Sequence, residues 1–296
     1  RYIMTTNAPT GRNAVGRSIF KEAVRMFNRD RQSIILPIIG VGVSIGISLA
    51  VIGLWVGLSI AGVLTSTTGQ ISWIPGLLAA ILFSVVFSIV QAAVVWMANE
   101  RFEGRATSVS AALSAAFAKF RPLAAFGLYN ATIGTILRQV RQEGGLLGGL
   151  VSLFGSIAWA VASYFVTPVI MFEGLGSFAA IKRSTELIKS KWQGAARANI
   201  VAGLAFAAAW VIAFIGLVGG FTGLIMNSYD NPAASAAGGI LAAVSVVFMF
   251  AISLVQSTIM AYVRVALYRY AVGAKLGDFD PTYLDQAFVA KKGKFA

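Results

Sequence analysis

The sequence predicts an all-α fold. It reads as a polytopic transmembrane helical bundle of six spans, paired as three hairpins, each preceded by a basic amphipathic interfacial helix. Three observations predict this. Apolar residues make up 57% of the chain and charged residues only 12%, whereas soluble domains carry about 25% charge. A chain of 296 residues this poor in charge cannot cover itself for water. Six apolar runs recur along it, and its mean hydropathy is +0.78. Finally, Lys and Arg collect in alternate connections between the runs.

Residues 1–16 are expected to form a flexible N-terminal segment without the apolar core of a signal peptide. Residues 17–274 are expected to hold the six helices, and 275–296 a cytoplasmic tail. A membrane crossing needs about 20 apolar residues. The runs 34–65, 74–98, 146–172, 200–226 and 236–268 meet that length. The run 123–137 is short and contains Asn130.

Charge sets the orientation. The connection 65–74 is uncharged, and 226–236 carries only Asp230, in a turn sequence. Basic residues fill the N-terminal 33 residues, segments 99–121 and 173–197, and the tail from Arg264. Under the positive-inside rule both termini are then cytoplasmic, in the cell inner (cytoplasmic) membrane. Arg138 and Arg141 are the exceptions. They lie outside if 123–137 spans, which is the preferred reading, and inside if it is re-entrant.

The segments 18–31, 108–121 and 177–191 share a helical period and a serine suited to N-capping. Their apolar stripes are Phe20, Ala23, Val24 and Phe27; Val109, Leu113, Phe117 and Phe120; and Phe178, Ile181, Ile188 and Trp192. Such helices lie along a membrane surface and attract anionic headgroups. The candidate contacts for anionic lipid or a partner are Lys21, Arg25, Arg29, Arg31, Lys119, Arg121, Lys182, Arg183, Lys189 and Lys191. The plainer reading is that these helices only anchor and orient the hairpins. The threefold pattern is either a worn internal repeat or a product of topology.

Small residues four apart let helices approach closely. Gly42, Gly46, Gly53 and Gly57 mark the first span, and Gly216 and Gly220 the fifth. They serve either oligomerisation or packing within the chain. Gln91, Asn130 and Gln256 are the most deeply placed polar residues and are read as interhelical hydrogen-bond partners. None is ionisable, which argues against a proton-coupled pathway.

With no Cys and no His, thiol nucleophiles, imidazole bases and haem ligation by His are excluded. Glu173 is expected to cap a helix or pair with Lys182 or Arg183. Glu100 and Glu103 lie among Arg101 and Arg105 as an interfacial charge network. Asp278, Asp280 and Asp285 lack the spacing of a calcium loop. No catalytic set, metal site or cofactor is expected.

The stretch 167–192, TPVIMFEGLGSFAAIKRSTELIKSKW, resembles a Pro-Val-x-x-x-Glu … Ala-x-x-Arg-Ser-x-x-Leu-x-x-x-x-Trp passage of bacterial and archaeal multi-span membrane proteins. These are similar to the membrane domain attached to some glycerophosphodiester phosphodiesterases. Pro168, Val169, Glu173, Ala180, Arg183, Ser184, Leu187 and Trp192 carry the match, and the ending ALYRYAVG fits it. The resemblance implies a six-helix membrane fold. It carries over no activity, because the diesterase site of those enzymes lies in a separate soluble domain that this sequence does not contain.

The functional expectation is a non-enzymatic scaffold, assembly factor or accessory subunit. It would organise anionic membrane lipid or a protein partner, including a second copy, and would not bind nucleic acid. The alternative is a transporter or channel for a lipid or small amphiphile.

Overall fold

The computed structural model describes residues 12–60, 74–226 and 231–274, without the side chains of 12–19, 22, 190–202, 204 and 205. Residues 1–11 of the expected flexible segment, 65–73 and 227–230 of the two connections poor in charge, the acids at 278–285 and the tail 275–296 lie outside the described residues. So do the side chains of Lys191 and Trp192.

Every regular element among the described residues is helical. They are α1 (Arg12–Arg29), a 3-10 turn (Arg31–Ile34), α2 (Ile35–Ile60), α3 (Ile74–Phe102), α4 (Val109–Ala118), α5 (Phe120–Glu143), α6 (Gly145–Ala162), α7 (Val166–Pro168), a π-helical turn (Val169–Glu173), α8 (Ser177–Met226) and α9 (Pro232–Ala271). Five segments are long and apolar enough to cross a membrane: Arg31–Ile60, Ile74–Phe102, Gly145–Glu173, Phe206–Met226 and Pro232–Ala271.

Three features differ from expectation. α5 is not among the five, because Asn130 interrupts its apolar stretch and Arg121 and Arg138 bound it at fewer than about 20 residues. The basic segment from Ser177 and the fifth span form one 50-residue helix, α8. The intervening QGAARAN contains three alanines and no proline, and Gly194 alone, at about 1 kcal/mol, does not stop the helix there. Arg264 does not begin a tail. It lies inside α9, which continues to Ala271.

The chain forms two compact units. One comprises Asp30–Trp192 with Arg264–Asp278, the other Arg1–Arg29, Gln193–Val263 and Phe279–Ala296. In the first, the C-terminal half of α3 is the centre. Val94, Val95, Met97 and Ala98 have no exposure, as expected where a helix is apolar on every side. α3 packs against α2, α4, α5 and α7. Gly127 of α5 lies so close to α3 that a Cβ there would come within 2.7 Å of Val85 Cα.

α5 and α6 also pack on each other, joined by a turn at Gly144 and Gly145. Gly145 has φ of 55°, a left-handed conformation glycine adopts without steric cost. Trp159 Nε1 of α6 donates to Asn130 Oδ1 of α5 at 2.8 Å, a polar contact between the two helices.

In the second unit α8 and α9 meet through small residues. A Cβ on Gly220 would come within 2.8 Å of Gly238 O, and one on Gly216 within 2.5 Å of Ser245 Oγ. Trp210 Nε1 donates to Gln256 Oε1 at 2.8 Å. Phe20 of α1 meets Phe206 of α8 edge-on, with centroids 5.9 Å apart.

Outside these contacts the apolar surface is exposed. Ile60 is 82% exposed and Leu146 92%. Monomeric soluble proteins rarely leave large contiguous apolar patches in water, so these surfaces are suited to lipid.

Candidate functional site

The ends of α3 and α9 carry a set of polar closures in the first unit. Asp30, next to the 3-10 turn, is nearly completely buried. Its carboxylate accepts from Arg101 Nε at 2.8 Å and Nη2 at 3.0 Å, and from Thr107 Oγ1 at 3.0 Å. Gln32 Nε2 donates to Thr107 O at 2.9 Å. Burial raises the Asp30 pKa, but the hydrogen bonds from Arg101, Gln32 and Thr107 outweigh it, leaving the carboxyl below its ordinary value. The start of the first candidate span is thereby tied to the end of the second.

A second closure joins α3 to α9. Arg269 Nη1 donates to Asn99 Oδ1 at 2.5 Å and Glu103 Oε1 at 2.9 Å. Arg105 pairs with both Glu100 and Glu103. The bond from Arg269, more than any other influence, holds the Glu103 pKa below its ordinary value. The expected network of Glu100, Glu103, Arg101 and Arg105 is therefore wider than its sequence neighbourhood, because Asp30, Asn99 and Arg269 arrive from distant positions.

The third closure surrounds an interrupted helix. α6 ends at Ala162, and the chain resumes as α7 and the π-helical turn. The freed Phe165 N–H donates to Ser184 Oγ at 3.0 Å. Glu173 accepts from Arg183 Nε at 3.0 Å and from Tyr268 OH at 3.0 Å. Gly174, with φ of 69°, turns the backbone out of the π-helical turn. Pro168, Val169, Ala180 and Leu187 are buried. Glu173 thus pairs with Arg183, one of the two expected cations, while Tyr268 was not anticipated.

Arg264 is the further residue that sequence reasoning missed. Its guanidinium Cζ lies over the Tyr164 ring, 5.4 Å from the centroid. Its Nε is buried without a hydrogen-bond partner among the described residues. The signal is an arginine within the apolar run 236–268, obscured because the same residue opens the basic stretch toward the C-terminus.

The expected surface cations distribute as follows. Lys21, Arg25 and Arg29 are exposed on α1, and Arg31 on the 3-10 turn. Lys119 is half-buried at the α4–α5 junction, and Arg121, Lys182 and Lys189 are exposed. Arg183 is engaged by Glu173, and Lys191 lies outside the described side chains. Ser108 caps α4 by accepting from Ala111 N, while Ser177 instead donates to Pro122 O at 2.7 Å. α4 buries Ala112 and Ala116 and leaves Phe117 and Phe120 of the expected stripe exposed.

The glycines divide. Gly216 and Gly220 lie at the α8–α9 crossing. A Cβ on Gly42, Gly46, Gly53 or Gly57 would meet nothing within 4 Å. Gln91 lines a small cleft between α2 and α3, with Ser44, Phe83 and Phe87 among its walls.

Together the apolar helices and polar closures define an α-helical membrane protein. Residues 74–278 match a family of unknown function, DUF6159, and the chain belongs to that family. No curated protein and no solved structure matches the chain.

Proposed function

We propose that this protein is a non-enzymatic scaffold or accessory subunit of the inner (cytoplasmic) membrane, organising anionic lipid or a protein partner along its basic side. One observation carries the reading. Asp30, Glu100, Glu103 and Glu173 are consumed in internal closures, while Arg121 and Lys182 stand exposed near the exposed aromatics Phe117, Phe120 and Phe178 in sequence, with Lys189 exposed further along α8. Cations beside exposed aromatics suit an anionic interface, at about 1 kcal/mol per cation. Both termini are cytoplasmic in this reading. α5 completes a sixth span beside α6, its short apolar stretch supported by the α6 contact and by the Asn130–Trp159 bond.

The test is purification in mild detergent followed by quantification of retained lipid and protein. The reading expects co-purified anionic lipid or a partner, reduced in a variant carrying Arg121→Glu, Lys182→Glu and Lys189→Glu. Equal retention by a folded variant overturns it.

A second reading, transport of a lipid or small amphiphile, draws on the helix interruption at 163–165. Irregular backbone at membrane depth is tolerated where it is buried in protein or lines a water-filled cavity. Vesicles reconstituted with the protein would then move labelled lipid between leaflets, and no flux above empty vesicles counts against it. The resemblance to diesterase-attached membrane domains gains no support from the family match.

A further inference from the structure

We propose that Arg264 is the anchor of a phosphate-binding site within the first unit, occupied by the phosphodiester of one anionic phospholipid. The inference rests on the chain being a membrane protein and does not depend on the scaffold reading.

The argument begins with charge. A guanidinium stays protonated in proteins, and charge inside a membrane segment is expensive unless it is paired or lines a polar path. Arg264 lies seven residues before the end of α9, about 10 Å along the helix from that end. A long helical side chain points back toward the helix N-terminus, so reaching the near interface works against the Cα–Cβ direction. Arg264 instead lies over Tyr164. A ring face offsets part of the cost of burying a cation, but it accepts no linear hydrogen bond of carboxylate strength.

Among the described residues of this unit, four acids are committed to other partners, and the remaining two, Glu143 and Glu186, are exposed beside Gln139 and Arg183. Asp30 holds Arg101, Glu100 and Glu103 hold Arg105 with Arg269 on Glu103, and Glu173 holds Arg183 and Tyr268. Arg264 Nε keeps its proton without an acceptor among the described residues.

A second observation coincides with the first. Tyr164 belongs to the non-helical link between α6 and α7. Ser184 satisfies the Phe165 N–H of that link, so the interruption is a built feature. An arginine whose Nε lacks an acceptor among the described residues, beside a maintained helix break, presents part of the planar donor fork that phosphate oxygens accept bidentately. In a bilayer the abundant source of that chemistry is a phospholipid headgroup. Free inorganic phosphate is the alternative source, and an acidic side chain of another protein is a different occupant.

Native mass spectrometry of the full chain, released from nanodiscs of phosphatidylglycerol with phosphatidylcholine, tests the site. The expected result is one retained phosphatidylglycerol per chain that phosphatidylcholine does not replace. Arg264→Gln should weaken that retention about tenfold or more, the scale of losing a charge-assisted hydrogen bond, and Arg264→Lys should restore part of it. The variant Arg121→Gln with Lys182→Gln should leave the single tight adduct in place, separating this site from the exposed cations. Addition of inorganic phosphate should not displace the lipid.

A wild-type chain with no saturable one-to-one lipid overturns the proposal, whatever the folding of the variants. So does undiminished retention by a folded Arg264→Gln. Displacement by millimolar inorganic phosphate overturns the lipid assignment, and a protein cross-linked at position 264 in place of lipid overturns the occupant.

Discussion

Asp30 provides the sharpest test of the polar closures. Asp30→Ala removes the acceptor for two Arg101 hydrogen bonds and one from Thr107. Removing one partner of a buried ion pair costs about 3–5 kcal/mol. The Arg101 side chain is 30% exposed, so water replaces part of the lost interaction, and the expected loss is about 3 kcal/mol, the low end of that range. At ~2–4 °C per kcal/mol, the unfolding midpoint in nanodiscs, read by circular dichroism, should fall by roughly 6–12 °C.

The pH dependence has a definite sign. An unfolded Asp titrates near about 3.9, and Asp30 titrates lower when folded. Between those values the unfolded state binds more protons, so stability rises with pH. The Asp30 contribution is therefore complete above about pH 5 and is lost as pH falls through the folded value, below about 4. Asp30→Asn should converge on wild type only in that acid window. An Asp30→Ala midpoint within 1–2 °C or so of wild type at pH 7 would refute the idea that this closure ties the first two candidate spans together.

Other expectations follow from the close approaches. Gly127→Val should cost about 1–3 kcal/mol by overpacking against α3, read as reduced yield of monodisperse protein. Gly220→Val should do the same at the α8–α9 crossing, whereas Gly46→Val should leave the isolated chain intact. If Gly46→Val disperses an oligomer seen with wild type, the exposed glycine face of α2 binds a second copy. Ser184→Ala should strand the buried Phe165 N–H at about 1–3 kcal/mol and raise amide hydrogen exchange around 163–166.

The helices were legible because apolar runs near bilayer length leave few alternatives to a span, and composition alone excluded a soluble surface. The boundaries were less so. A change from amphipathic to apolar character reads as a break, but α8 continues because the stretch between 192 and 200 holds three alanines and no proline, and Gly194 alone costs only about 1 kcal/mol. The six expected spans reduce to five that meet the criteria of length and apolarity, since α5 draws on contact with α3 and α6, which no local pattern reveals. At the site, the Glu100 and Glu103 network and the Glu173–Arg183 pair were readable because their members are close in sequence. Asp30–Arg101, Glu103–Arg269 and Glu173–Tyr268 were not, since they join residues 71, 166 and 95 positions apart. Arg264 was visible as a residue, but the lack of an acceptor for its Nε among the described residues is a property of the fold.

The proposed topology puts the basic side of the helices in the cytoplasm and lets α5 cross beside α6. Because the chain contains no cysteine, single-cysteine labelling in intact cells measures this directly. A membrane-impermeant maleimide should label Gln142→Cys, at the α5–α6 turn, in intact cells, and Ala179→Cys, at the start of α8, only after lysis. Labelling of both positions on the same side of the membrane would contradict the account.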